Sequence, residues 1–183
     1  MPRGSFIAVL SAVLLVAGPV FGQTSRPSYP DTVEGLTQFF KDMLAATAAK
    51  DQNRVYAYAQ MLTLPKYKEF FKKTFGDEVS TRLIPEYEKG TENFPLKFTR
   101  LFLQLKTPKE LTPVVTRVEG ADDVNATIYQ RLALEAMVDP VPLYSVTISK
   151  PGASGTIQLW SLVYIDGAFR LVGKMQAIRV AGS

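Results

Sequence analysis

The stretch from Thr156 to Lys174, TIQLWSLVYIDGAFRLVGK, constrains the fold more than any other, because it reads as one antiparallel hairpin closed by Asp166-Gly167. Asp-Gly between two apolar, β-branched and aromatic runs is the strongest short hairpin signal, since a two-residue type I′ turn needs positive φ at both central positions. The turn sets a register of Ile165 opposite Ala168, Tyr164 opposite Phe169, Leu162 opposite Leu171 and Trp160 opposite Gly173. Partners across a ladder share a face. One face then carries Trp160, Leu162, Tyr164, Phe169, Leu171 and Met175, and this aromatic face is the expected core side. The other carries Leu159, Ser161, Val163, Ile165, Ala168, Arg170, Val172 and Lys174, apolar near the turn and charged away from it. Gly173 opposite Trp160 leaves room for the indole to lie across it. A bulge at Gly173 is the alternative.

The rest of the chain has to supply what covers that hairpin. With 183 residues, 46% of them hydrophobic, it can bury one sizeable core and is too short for two full-sized domains. Residues 1–22 read as a secretory signal peptide: Arg3 lies in a short basic start, an apolar run covers Phe6 to Ala17, and Gly18-Pro19 breaks it before Gly22. The run is about 12 residues long, against the roughly 20 that span a hydrocarbon core, so no stable membrane insertion is expected. Cleavage near Gly22 gives a secreted or periplasmic protein that begins at Gln23, with residues 23–30 as a mobile tether and 31–180 as a single domain.

The chain contains neither Cys nor His. A disulfide framework, a Ser-His-Asp or Cys-His nucleophile and the usual zinc sites are thereby excluded, and no metal or cofactor is expected. The formal net charge of +4 is too weak to imply nucleic acid.

Helical periodicity dominates the first part of the domain. Asp31 with Glu34 resembles a capping box, followed by Val33, Leu36, Phe39, Phe40, Met43, Leu44 and Thr47 at helical spacing to about Lys50. Asp51 caps a second helix, and Pro65 opens a third that ends at Gly76. A further helix follows from Asp77 to about Lys89, and Phe94, Phe98, Leu101, Phe102 and Leu105 form the most apolar helical stripe. Lys66, Lys68, Lys72 and Lys73 read as a solvated face. After Pro108 the period turns to alternation. Strands are expected over Pro113 to Val118, Val124 to about Gln130 and Leu143 to Lys150. Gln130 to Met137 favours helix by composition and strand by position; strand is taken here.

Helices first and hairpin-linked strands after them predict an α+β domain, with N-terminal helices packed on a curved, mostly antiparallel sheet. The ending LWSLVYIDGAFRLVG resembles the last hairpin of nuclear transport factor 2-like proteins, the α+β cone superfamily, which often reads aromatic, apolar, Asp-Gly, aromatic, Arg. The resemblance covers Trp160 to Gly173 in residues, and residues 31–178 in element order; the added helical segment Lys66 to Lys106 departs from the compact form. That superfamily holds isomerases, dehydratases, cyclases, transport adaptors and secreted domains of no assigned activity. No catalytic motif of its enzymes is matched, so no catalytic residue is carried over.

The resemblance implies an exported, non-catalytic domain that binds a small apolar ligand or a protein partner. Tyr144, Trp160, Tyr164 and Phe169 are the candidate pocket lining, although alternating aromatics on a half-buried sheet are more often plain core. A cofactor-independent acid/base enzyme of isomerase or dehydratase type is the alternative. It would use a carboxylate in an apolar recess, and Glu135, Asp139 and Glu119 are the acids near strands. A structural or assembly role is the third reading: Val163, Ile165, Arg170 and Val172 suit a homodimer interface, with a loop or the N-terminal tether as the other cover for that face. Asp122-Asp123 and Asp166 are read as turn residues, and Asn125-Ala126-Thr127 is formally a glycosylation sequon.

Overall fold

In the computed structural model, residues 27–151 and 156–178 are described. The leader expected at 1–22 and most of the turn expected between Pro151 and Gly155 lie outside the described residues. The chain folds as α1 (Val33–Ala48), α2 (Gln52–Met61), α3 (Tyr67–Thr91), α4 (Phe94–Leu103), β1 (Thr112–Val118), α5 (Ile128–Ala136), β2 (Leu143–Ser149), β3 (Thr156–Ile165) and β4 (Ala168–Leu171). The four strands form one antiparallel sheet in the order β1-β2-β3-β4, so the α+β class holds.

The helix starts follow local chemistry. Thr32 caps α1, its Oγ1 accepting the Gly35 N–H at 3.0 Å. The cap expected at Asp31 is one residue early, and the Asp31 carboxylate instead accepts the Tyr144 hydroxyl at 2.8 Å. Asp51 caps α2 as expected, accepting the Arg54 N–H at 3.0 Å. Helix α3 takes in both the third and the fourth expected helices and is broken between them at Gly76 (φ 74°, ψ 172°). Only glycine occupies that region at little cost.

The strands expected at Val124 to Gln130 and Gln130 to Met137 are not formed. Residues 119–127 form a loop, and α5 starts at Ile128. A reciprocal capping box decides it: Thr127 Oγ1 accepts the Gln130 N–H at 3.3 Å, and Gln130 Oε1 accepts the Thr127 N–H at 3.0 Å. The helix-favouring run QRLALEA then follows its propensity rather than its place between strands.

The hairpin turn has the expected geometry, with φ of 50° at Asp166 and 71° at Gly167. The ladder pairs Ile165 with Ala168, Tyr164 with Phe169 and Leu162 with Leu171, as read from the sequence. Beyond Leu171 the expectation fails. Strand β4 ends there, and no Trp160–Gly173 pair forms. Against β2, Tyr144 faces Leu162 while Val146 faces Leu159, so β3 carries one extra residue between those pairs. The bulge lies in β3, where Ser161 has φ 57°, and not at Gly173.

That extra residue changes which side chains share a face. Ile157 and Leu159 join Leu162, Tyr164, Phe169 and Leu171 in a first core, with Leu36, Phe39, Phe40 and Met43 of α1, Val55, Tyr58 and Ala59 of α2, and Phe98 and Phe102 of α4. On the other side, Val163, Ile165, Val172 and Met175 join a second core with Phe71, Phe75, Leu83 and Tyr87 of α3, and Ala133 and Leu134 of α5. The sheet thus has helices on both faces. Two consecutive residues of β2, Leu143 and Tyr144, are both 0% exposed because each faces a different core. The outer side of β4 is closed by the α2–α3 connection: the Leu171 N–H donates to the Leu62 carbonyl at 2.8 Å, and Arg170 Nη1 donates to the carbonyls of Met61 at 2.6 Å and Thr63 at 3.1 Å.

Candidate functional site

The chain leaves β4 as an irregular segment against the second half of α3, and a cavity of about 270 Å³ lies between them. Phe71, Leu83 and Tyr87 line it from α3; Val172, Gly173 and Met175 line it from the exit segment. The exit segment turns sharply, with positive φ at Gly173 (84°) and Met175 (55°). Glu86 fastens it: its two carboxylate oxygens accept the N–H groups of Gln176 and Ala177 at 2.9 and 2.7 Å. These two bonds leave the acid engaged with the backbone, so the rest of the wall presents mostly apolar surface. The Tyr87 hydroxyl accepts the Leu64 N–H at 3.1 Å, and burial raises its pKa above the usual phenol value.

A second recess, about 800 Å³ and more polar, lies between α2, the N-terminal segment and the hairpin turn. Arg54, Tyr58 and Met61 face it from α2, Pro27 from the N-terminal side, and Asp166 and Arg170 from the hairpin. Behind Tyr58 sits a hydroxyl chain. Tyr29 Oη lies 2.8 Å from Asp42 Oδ2 and 3.3 Å from Tyr58 Oη. One proton cannot serve both, and the shorter contact to the charged acceptor takes it. Burial, reinforced by Tyr58 and Asp42, raises the Tyr29 pKa. Tyr29 is only 6% exposed and packs edge-on against Phe39, so the end of the segment expected to be a mobile tether is docked on α1.

The six side chains read as a pocket are not brought to one. Tyr144 (0% exposed) and Phe169 (2% exposed) are solid first core, in edge contact at 5.2 Å. Tyr164 stacks edge-on against Phe169 at 4.9 Å, and its hydroxyl donates to the Tyr29 carbonyl at 2.9 Å. Trp160 leaves the aromatic face through the bulge, and the Lys174 ammonium sits over its ring at 4.0 Å. Glu135 is exposed on α5, and Asp139 is exposed and paired with Lys73 at 3.2 Å. Neither acid is desolvated.

The face carrying Val163, Ile165, Arg170 and Val172 is covered by this chain itself. Val163 is 0% and Val172 3% exposed, both in the second core with α3. Arg170 is held by the carbonyls of the α2–α3 connection, so a loop, one of the expected covers, shares this face with helix α3. That Phe71, Leu83 and Tyr87 border a cavity depends on the exit segment, whose irregular course carries no periodic signal. Among the described residues, no group of three or more acidic side chains converges to hold a metal ion, and no helix is long and apolar enough to cross a membrane.

Scans against protein-family models, curated proteins and solved structures returned no match to this chain.

Proposed function

We propose that this chain is an exported, non-catalytic binding domain that takes a small apolar molecule into the cavity between α3 and the segment that follows β4. The observation that carries the reading is that cavity of about 270 Å³, walled by Phe71, Leu83, Tyr87, Val172 and Met175. A dry cavity of about 150 Å³ accepts benzene. A bicyclic or short branched hydrocarbon skeleton therefore matches the space here. Export rests on the apolar leader at residues 1–22, and kinship with the nuclear transport factor 2-like superfamily rests on the Trp160 to Gly173 hairpin within an α+β domain.

The acid/base alternative draws no support from the geometry, because Glu135 and Asp139 are both exposed and neither lies in an apolar recess. Native mass spectrometry of the protein purified from its host, followed by titration with indole and naphthalene, tests the binding reading. Gly90 lines the mouth of the cavity, and a Cβ there meets nothing within 4 Å. Gly90→Phe is expected to weaken binding at least tenfold while leaving the far-ultraviolet circular dichroism spectrum unchanged. No co-purifying ligand together with no binding of either probe would overturn the reading.

A further inference from the structure

Helix α4 buries Phe98 and Phe102 in the first core and turns its opposite side to solvent. At 3.6 residues per turn, Leu96, Arg100 and Gln104 follow one another in a row with Lys97 and Leu101 beside them, all within roughly 140° of the helix circumference. All five are exposed, Leu96 at 42% and Leu101 at 45%. The leucines border this face and the two cations lie between them. From Asn93 to Lys109 the chain carries Lys97, Arg100, Lys106 and Lys109, all exposed, and no acid. Among the described residues none of these four is in an ion pair, whereas Lys68, Lys72 and Lys73 of α3 are paired with Glu88, Asp77 and Asp139. The surrounding acids do not cancel the charge. Glu110 is paired with Lys150. On α1, α2 and the link between them, the elements packed against α4, the acids Glu34, Asp42 and Asp51 are matched in number by Lys41, Lys50 and Arg54, which leaves Glu92, just before α4, as the one acid set against the four cations.

We propose that this face of α4 docks the protein on the surface of a membrane that contains anionic lipid, with no segment of the domain crossing it. The cations complement the headgroup charge, and Leu96 and Leu101 reach the boundary between headgroups and acyl chains. The leucines favour a lipid surface over an acidic polymer, which offers charge but no hydrocarbon. A lysine or arginine held near such a surface strengthens binding about fivefold. Docking is reversible, because a few cations and two half-exposed leucines supply much less than a membrane-spanning helix. None of these side chains lines the apolar cavity, so docking and the proposed ligand binding are separate properties.

The test uses the chain from Gln23 onward, since both cores are built from later residues and the expected apolar leader would itself bind lipid. Flotation with phosphatidylcholine vesicles, with and without about 30% phosphatidylglycerol, is expected to show at least tenfold tighter binding to the anionic vesicles. That binding should fall as salt is raised from about 20 to about 200 mM. Lys97→Gln with Arg100→Gln should remove at least tenfold of the affinity, while Lys72→Gln with Lys73→Gln, the same change of charge on α3, should alter it less than threefold. Leu96→Ala with Leu101→Ala should weaken vesicle binding at least threefold and leave binding to polyglutamate unchanged. A readout that needs no variant is amide-resolved NMR with a spin-labelled lipid in the anionic vesicles, in which the amides of Leu96, Lys97, Arg100 and Leu101 are expected to broaden first. Equal binding to the two vesicles, an equal loss from the α3 and α4 pairs, or broadening centred on another element overturns the proposal. Tighter binding to polyglutamate than to vesicles, or vesicle binding indifferent to the leucines, overturns the lipid assignment.

Discussion

Gly76 holds φ 74° and ψ 172° in the middle of α3, whereas Gly90 is an exposed residue inside the same helix with open space beside it. The two glycines should therefore respond oppositely to one methyl group. Gly76→Ala forces an L-residue into a nearly glycine-only region and is expected to cost about 1–3 kcal/mol. Gly90→Ala removes backbone freedom from the unfolded chain and is expected to gain roughly 0.5–1 kcal/mol. Urea midpoints of the two variants decide it; equal midpoints would mean that the break at Gly76 is not conformationally required. Tyr144 gives a pH test. Burial, and then the hydrogen bond to Asp31, raise its pKa above the ordinary 10.0. The folded state therefore binds this proton more tightly than the unfolded state. That contribution is fully present below about pH 10 and is lost as pH rises past it toward the folded value. Tyr144→Phe should flatten the fall in stability above pH 10, seen by denaturant titration at pH 8 to 11. An unchanged alkaline slope would remove Tyr144 from that role.

At the scale of elements, the sequence was legible where one local signal decided the outcome and misleading where two competed. The Asp166-Gly167 turn, the Asp51 cap and the apolar stripe of α1 are each local, and each appears where it was expected; of the stripe expected on α4, Phe98 and Phe102 are buried, whereas Leu101 is 45% exposed. Helix α5 was missed because its place between strands was weighed above a capping box that Thr127 and Gln130 spell out three residues apart. Trp160 was misplaced because strict alternation was carried through a bulge. The spacing of Ile157, Leu159, Leu162 and Tyr164, which skips one step between Leu159 and Leu162, was the available sign. The apolar cavity was not legible at all, since its second wall is the segment after β4, pinned by Glu86 from a distant part of the sequence. That pin is itself testable. Hydrogen bonds to a charged acceptor contribute about 1.5–3 kcal/mol, so Glu86→Ala should lose about that much stability and speed hydrogen exchange at Gln176 and Ala177. Unaltered exchange would show that the exit segment holds its course without the carboxylate.

For the whole molecule, the decisive fact is that one sheet separates two cores. At the end of the sheet where Leu143, Val163 and Val172 lie, one set of side chains goes toward α1, α2 and α4 and the other toward α3 and α5, so there the hairpin has no spare face for a partner. Val163 and Val172 were read as such a face because a hairpin considered alone always shows two sides, and the second layer of helices could not be placed from periodicity. The same division gives the β3 bulge a consequence for chain length. Removing one residue from a regular strand such as β2 carries the side chains beyond the deletion to the wrong face of the sheet. Removing Ser161 takes out the surplus residue and leaves Ile157 and Leu159 in phase with Leu162 and Tyr164. A chain lacking Ser161 should fold with a cooperative thermal transition, and a chain lacking Thr147 should not. Loss of folding in both would mean that the bulge is needed for its shape as well as for its count. Within this sheet, β3 is the place where the gene can lose a codon and keep both cores.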